Sequence, residues 1–117
     1  MVMAIPDIPC YLIEWYRQEL TAQSIDDIVD KLNAAATTVT SEGRTVRLLL
    51  TLAVPADEVL YGLFAAFSSE TVVDACQRAA IPPQRLSVDV GTRIAQPVRY
   101  RWDLASWKRK PPKGAFA

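Results

Sequence analysis

The apolar residues of this chain alternate between a two-residue and a three-to-four-residue spacing, and the order in which they do so limits the fold more than any other feature. Cys10 to Arg17 (CYLIEWYR) is rich in aromatic and branched side chains and reads as a strand. Side chains alternate along a strand, so Tyr11, Ile13 and Trp15 share one face and Leu12, Glu14 and Tyr16 the other. From Ser24 the spacing turns helical through Ile25, Ile28, Val29, Leu32, Ala36 and Val39. A Ser-x-x-acid cap from Ser24 to Asp27 opens this helix, Asp26, Asp27 and Asp30 suit its positive end, and Gly43 stops it.

Val46 to Val54 (VRLLLTLAV) and Leu60 to Phe67 (LYGLFAAF) follow as two strands joined by a tight turn at Pro55, Ala56 and Asp57. Their nearly continuous apolarity predicts two central strands. Ser68 or Ser69 opens a second, short helix through Val72, Val73, Cys76 and Ala80, which Pro82 and Pro83 forbid from continuing. Arg85 to Asp89 alternates again, with Leu86, Val88 and Val90 facing in, Ser87 and Asp89 facing out, and Gly91 releasing the chain. Strand, helix, strand, strand, helix, strand is the split βαβ order of the ferredoxin-like α+β class. It places two helices on one face of a four-stranded antiparallel sheet. The predicted domain covers residues 9–94, and residues 95–117 form a basic and aromatic tail.

At 117 residues, half of them hydrophobic, the chain is long enough to close one core without metal or disulfide support. Cys10 and Cys76 stand far apart in no metal or redox spacing and are expected as buried thiols. Met1 to Asp7 lacks a basic start and an apolar run, so no secretory signal is expected, and no apolar run is long enough for a membrane span. The expected location is cytoplasmic, with no membrane insertion.

There is no histidine, which removes the commonest acid/base group near neutral pH and the commonest borderline-metal ligand. Ser-His-Asp and Cys-His arrangements are therefore impossible within this chain. The four glycines are isolated and form no phosphate-binding loop. No catalytic residue, metal site or cofactor is predicted.

A helix-free sheet face would carry Leu12, Glu14, Tyr16, Arg47, Leu49, Thr51 and Asp89. A patch this apolar tends to associate, and a face-to-face homodimer is the expected partner. Within it Glu14, Tyr16, Arg47 and Asp89 are candidate residues for a small polar ligand, since a carboxylate beside an arginine can orient one. The plainer reading, a cross-strand ion pair at a dimer interface, is preferred. Asp26, Asp27 and Asp30 read as a solvated helix start rather than a cation site, and Asp57 and Glu58 as turn residues.

Thirteen basic and thirteen acidic residues cancel overall, but six basic residues and only Asp103 among the acids lie from Arg99 onward. The first 98 residues thus carry seven basic against twelve acidic, a net of −5. Tyr100, Trp102 and Trp107 interleave with Arg99, Arg101, Lys108, Arg109 and Lys110, a pattern that can stack on bases and neutralise phosphates. The preferred reading is that Trp102, Leu104 and Trp107 anchor the tail, so nucleic acid is not the expected partner.

Three segments carry a resemblance: Pro9-Cys10-Tyr11-Leu12-Ile13-Glu14-Trp15-Tyr16, then Val54-Pro55-Ala56-Asp57-Glu58, then Gln77-Arg78-Ala79-Ala80-Ile81-Pro82. In this order and spacing, over Pro9 to about Arg93, the chain resembles a family of small bacterial ferredoxin-like proteins of unknown function. One branch of that family binds nickel. The resemblance implies a subunit that dimerises through its sheet and has no established enzymatic activity. The nickel binders it resembles carry a histidine in the second helix, where this chain has Ala75 and Cys76, so the metal site is not carried over. The function expected is a non-enzymatic module that binds a small ligand or a partner. The rivals are a divalent-metal binder, an oxygenase of the dimeric α+β barrel kind using Trp15 in a cleft between helices and sheet, and tail-mediated binding of nucleic acid or an acidic partner.

Overall fold

The structure, a computed structural model, describes residues 3–4 and 8–94. The chain divides into two compact units. One, Pro6–Thr92, holds strand β1 (Cys10–Tyr16), helix α1 (Ala22–Ser41), strands β2 (Val46–Val54) and β3 (Val59–Ala66), helix α2 (Ser69–Arg78) and strand β4 (Arg85–Ser87). Its sheet is antiparallel with the order β2-β3-β1-β4, the ferredoxin-like arrangement that the spacing predicts. The other unit, Met1–Ile5 with Arg93–Ala117, contains a two-residue antiparallel pairing of Met3–Ala4 with Arg93–Ile94.

Helix α1 begins one turn before the expected cap. The Thr21 hydroxyl accepts the Ser24 N–H at 3.1 Å and the Ser24 hydroxyl accepts the Thr21 N–H at 2.9 Å, a reciprocal capping box. Ser24 is thus the third helical residue, and Asp26, Asp27 and Asp30 lie beyond the first turn, where the dipole no longer favours them strongly. Gly43, at φ +98°, does end the helix: its N–H reaches Thr40 O and the Arg44 N–H reaches Val39 O, the two bonds of a Schellman motif.

Helix α2 is capped by Ser68, whose hydroxyl accepts the Thr71 N–H at 3.2 Å. It ends at Arg78, before the prolines, through the same motif. Ala80 takes the left-handed conformation at φ +61°, its N–H bonds to Gln77 O, and the Ile81 N–H bonds to Cys76 O.

The buried faces meet on the helix-covered side of the sheet. Tyr11, Ile13, Trp15, Leu60 and Phe64 from the strands pack against Ile28, Leu32, Ala36, Val39, Val72 and Cys76 from the helices. Trp15 is the largest of these; its ring lies edge-on to Phe64 at 6.5 Å, and its Nε1–H donates to the Ile81 carbonyl at 3.0 Å. Gly62 gives the indole its room, for a Cβ there would lie 2.8 Å from Trp15 Cζ3.

Two strand expectations fail. First, of these two strands only β3 is flanked on both sides, and β2 is an edge strand, not a central one. Its run of leucines is not evenly buried because the pairing slips between Leu48 and Leu50: Leu48 faces Phe64, but Leu50 faces Leu63. This β-bulge at Leu49 reverses the alternation, so Leu50, Leu52 and Val54 point away from the helices and Thr51 points towards them, opposite Gly62. Second, β4 stops at Ser87. Asp89 takes a left-handed φ of +55°, Val88 is exposed, and Val90 packs on the opposite side of the sheet from Leu86. The left-handed residue interrupts the alternation that the sequence displays.

Candidate functional site

The face of the sheet away from the helices is built from four cross-strand rows. Register places Val54, Val59 and Tyr16 in one; Leu52, Tyr61, Glu14 and Arg85 in the next; Leu50, Leu63, Leu12 and Ser87 in the third; and Arg47, Ala65 and Cys10 in the last. The last two rows enclose a small apolar cluster, Cys10, Leu63 and Ala65, joined by Ile8, Leu12, Leu49 and Val90. Towards the other end the face is exposed: Tyr16 by 50%, Leu50 by 39%, Leu52 by 58% and Val54 by 38%.

One end of this face carries a polar cluster. The Tyr16 hydroxyl donates to Glu14 Oε1 at 2.8 Å, and Arg85 Nε stands 3.5 Å from Glu14 Oε2. The hydrogen bond to the Glu14 carboxylate is the main reason the Tyr16 phenol is held above its ordinary pKa. Gln84 ties the cluster to the strand edge: its side-chain carbonyl accepts the Tyr16 backbone N–H at 2.6 Å, and its own backbone N–H donates to Glu14 O at 3.1 Å. Glu14 is thereby held between a phenol that donates to it and a guanidinium that pairs with it by charge.

Of the sequence-predicted site residues, Glu14 and Tyr16 come together. Arg47 does not join them, since its row is that of Cys10, four residues along β1 from Glu14 and about 13 Å away at strand rise. Asp89 stands exposed beyond the end of β4. Thr51 is turned to the helix side by the bulge. The tail residues Arg99, Arg101, Trp102, Trp107, Lys108, Arg109 and Lys110 lie outside the described residues.

Arg85 and Gln84 were missed. A strand starting at Arg85 and pairing antiparallel with β1 puts Arg85 opposite Glu14, but that register is set by tertiary packing and is absent from local spacing.

The two cysteines lie on opposite sides of the sheet. Cys10 belongs to the small cluster of the helix-free face, whereas Cys76 sits fully enclosed under α2, where burial pushes its thiol pKa up to about 12. Neither forms a disulfide. Among the described residues no group of three or more Cys, Asp and Glu is placed to hold a metal ion. No described helix is long and apolar enough to cross a membrane.

Outside this face the charged groups form a network across the helix ends. Arg78 grips Glu42 with Nη1 at 2.7 Å and Nη2 at 2.9 Å, and its Nε meets Asp74 at 3.1 Å. Arg44 reaches Asp74 at 2.6 Å and Glu42 at 3.2 Å. The arginines hold the Glu42 and Asp74 carboxyls below their usual range, Arg78 acting chiefly on Glu42 and Arg44 on Asp74.

No protein-family profile matches the chain, and no curated protein matches it in sequence. The structure is similar to the crystal structure of SCO4226 from Streptomyces coelicolor A3(2). The TM-score is 0.62, with 16% of residues identical over 71% of this chain and 99% of that one. The similarity is one of fold. It agrees with the split βαβ order read from the residues and assigns no ligand, metal or activity to this chain.

Proposed function

We propose that this chain is a non-enzymatic binding module that works as a homodimer, two copies packing through the helix-free face of the sheet. The observation that carries this reading is the set of exposed large apolar side chains, Tyr16, Leu50, Leu52 and Val54, gathered on one surface by strand register. Scattered exposed apolar residues need no explanation, but a contiguous group on a sheet face that no described helix covers does. A two-fold contact brings the same patch of both copies together, and the Glu14–Arg85 pair supplies both signs of charge within it. The interface is then self-complementary in shape class and in charge.

A catalytic reading built on Trp15 has less support. The indole is 1% exposed, packs edge-on to Phe64 and spends its one donor on Ile81, so it offers a substrate neither surface nor hydrogen bond. Cys76, enclosed and protonated at neutral pH, is not a nucleophile.

Sedimentation velocity over a range of protein concentrations tests the proposal. The full chain sediments as a dimer, and Leu52→Glu, which places a charge in the middle of the patch, sediments as a folded monomer. A wild-type chain that is monomeric at every concentration, or a Leu52→Glu variant that still dimerises, overturns it.

A further inference from the structure

A second surface lies on the opposite flank of β2, where the strand edge runs beside α1. A groove of about 320 Å³ separates the two elements, with Asn33, Ala36 and Thr37 on the helix wall and Arg47 and Leu48 on the strand wall. One end is closed. Thr40 Oγ1 donates to the Val46 carbonyl at 3.0 Å and accepts the Val46 N–H at 3.1 Å, so a side chain satisfies both backbone groups of that residue.

That contact fixes the direction of the remaining backbone groups. In an antiparallel ladder, successive residues turn their N–H and C=O alternately to the two neighbours. Val46 points outward to Thr40; Arg47 therefore points inward to Ala65, and Leu48 points outward into the groove. The bond from the Ala66 N–H to Pro9 O agrees, since it shows Ala66, the partner of Val46, directed away from β2. Among the described residues no strand lies beyond β2 to take up the Leu48 groups, and past the bulge Thr51 and Ala53 point outward in the same way.

Arg47 adds a charge to this edge. It is exposed, and it forms no ion pair with a described residue, unlike Arg44 and Arg78 nearby in the fold. Its backbone stands at the closed end of the groove, next to Val46, and its side chain leaves the edge strand on the helix-free face, one side-chain length from the strand edge.

We propose that this groove takes the C-terminal residues of a partner polypeptide, added as a short antiparallel strand to the edge of β2 with the terminal carboxylate on Arg47. A segment antiparallel to β2 runs from the Val54 end towards the Val46 end, so its own C-terminus arrives where Thr40 stops the ladder and beside Arg47, whose guanidinium reaches it by folding over the strand edge. A chain that continued past this point would meet Thr40 and find no backbone group on Val46 to bond. Backbone pairing to Leu48 gives the affinity, the charge-assisted bond to Arg47 selects a free terminus, and Ala36 leaves space for one apolar side chain. The bulge keeps the regular ladder short, which limits recognition to the last few residues.

The test uses the isotope-labelled full chain and a pool of acetylated pentapeptides randomised over valine, isoleucine, leucine, threonine and alanine. The pool is prepared once with free C-terminal carboxylates and once amidated. At millimolar total peptide the free-acid pool shifts the backbone amide of Leu48 and the side-chain amide of Asn33. Amidation, or Arg47→Gln, weakens the response about tenfold, the size of one charge-assisted hydrogen bond. Thr37→Trp, which fills the groove from an exposed helix position, abolishes it while leaving the rest of the amide spectrum in place. No shift at Leu48 with the free-acid pool, or equal shifts with both pools, overturns the proposal. Neither outcome depends on whether the helix-free face dimerises.

Discussion

Trp15 and Gly62 occupy adjoining positions on neighbouring strands, so close that a methyl group on Gly62 would lie 2.8 Å from one ring carbon of the indole and 2.9 Å from the next. The glycine is there because the tryptophan is. Gly62→Ala costs about 1–3 kcal/mol by overpacking, read from urea unfolding. Trp15→Phe costs about 1–3 kcal/mol by stranding the Ile81 carbonyl and opening space. In the double variant the smaller ring relieves the crowding, so its loss is less than the sum of the two single losses by about 1 kcal/mol. Strict additivity would show that the close approach carries no energy.

Ala80 closes α2 in a conformation that suits glycine better, at φ +61°. The left-handed penalty for a residue with a Cβ is about 1–2 kcal/mol, and glycine's extra freedom when unfolded returns part of that. Ala80→Gly therefore raises unfolding stability by about 0.5–1 kcal/mol, while Ala80→Val lowers it. Ala80 is exposed, so no packing is lost in the first change.

The Glu42–Arg78–Asp74–Arg44 network makes stability depend on acid. Both carboxyls are held below their ordinary values in the folded chain, so their contribution is complete above the unfolded range, about pH 4, and is lost as pH falls through the depressed folded values. The urea midpoint of wild type accordingly falls on the acid side of about pH 4. Arg78→Gln, which removes the main partner of Glu42, is less stable near neutrality and shows a shallower acid decline. Because every member of the network is partly in solvent, added salt brings the two proteins closer together.

Cys76 is shielded both by enclosure and by its raised pKa of about 12. At pH 8 only about one such thiol in ten thousand is ionised. Alkylation of Cys76 by iodoacetamide should follow the rate of opening of the core and rise steeply with urea. Rapid labelling in native buffer would mean that α2 lifts from the sheet far more easily than its packing suggests.

The order of elements was legible because each helix carries its own apolar spacing and each turn its own Gly, Pro or Asp. Departures from regular alternation were not. The bulge at Leu49 leaves VRLLLTLAV looking like one buried strand, since seven consecutive apolar or near-apolar residues satisfy either phase. The left-handed turn at Asp89 hides in RLSVDV for the same reason: the pattern persists in the letters after the backbone has changed direction. Thr21 was passed over as a cap because Ser24 offered an acceptable one three residues on, and only their reciprocal bonds decide between them. In the candidate site Glu14 and Tyr16 were visible, as two same-face residues of one strand. Their partner Arg85 was not, because cross-strand register is a property of the assembled sheet.

The irregularity at Leu49 has a consequence for how this surface can change. A register with no bulge, pairing Leu49 with Leu63, would turn Leu50 and Leu52 towards the helices and bring Thr51 out. The same slip would aim Leu50 at Gly62, against the space the indole fills. The sociable side of the sheet and the socket of its largest ring thus hang on one register, and loss of Leu49 itself would straighten β2 while leaving both in place.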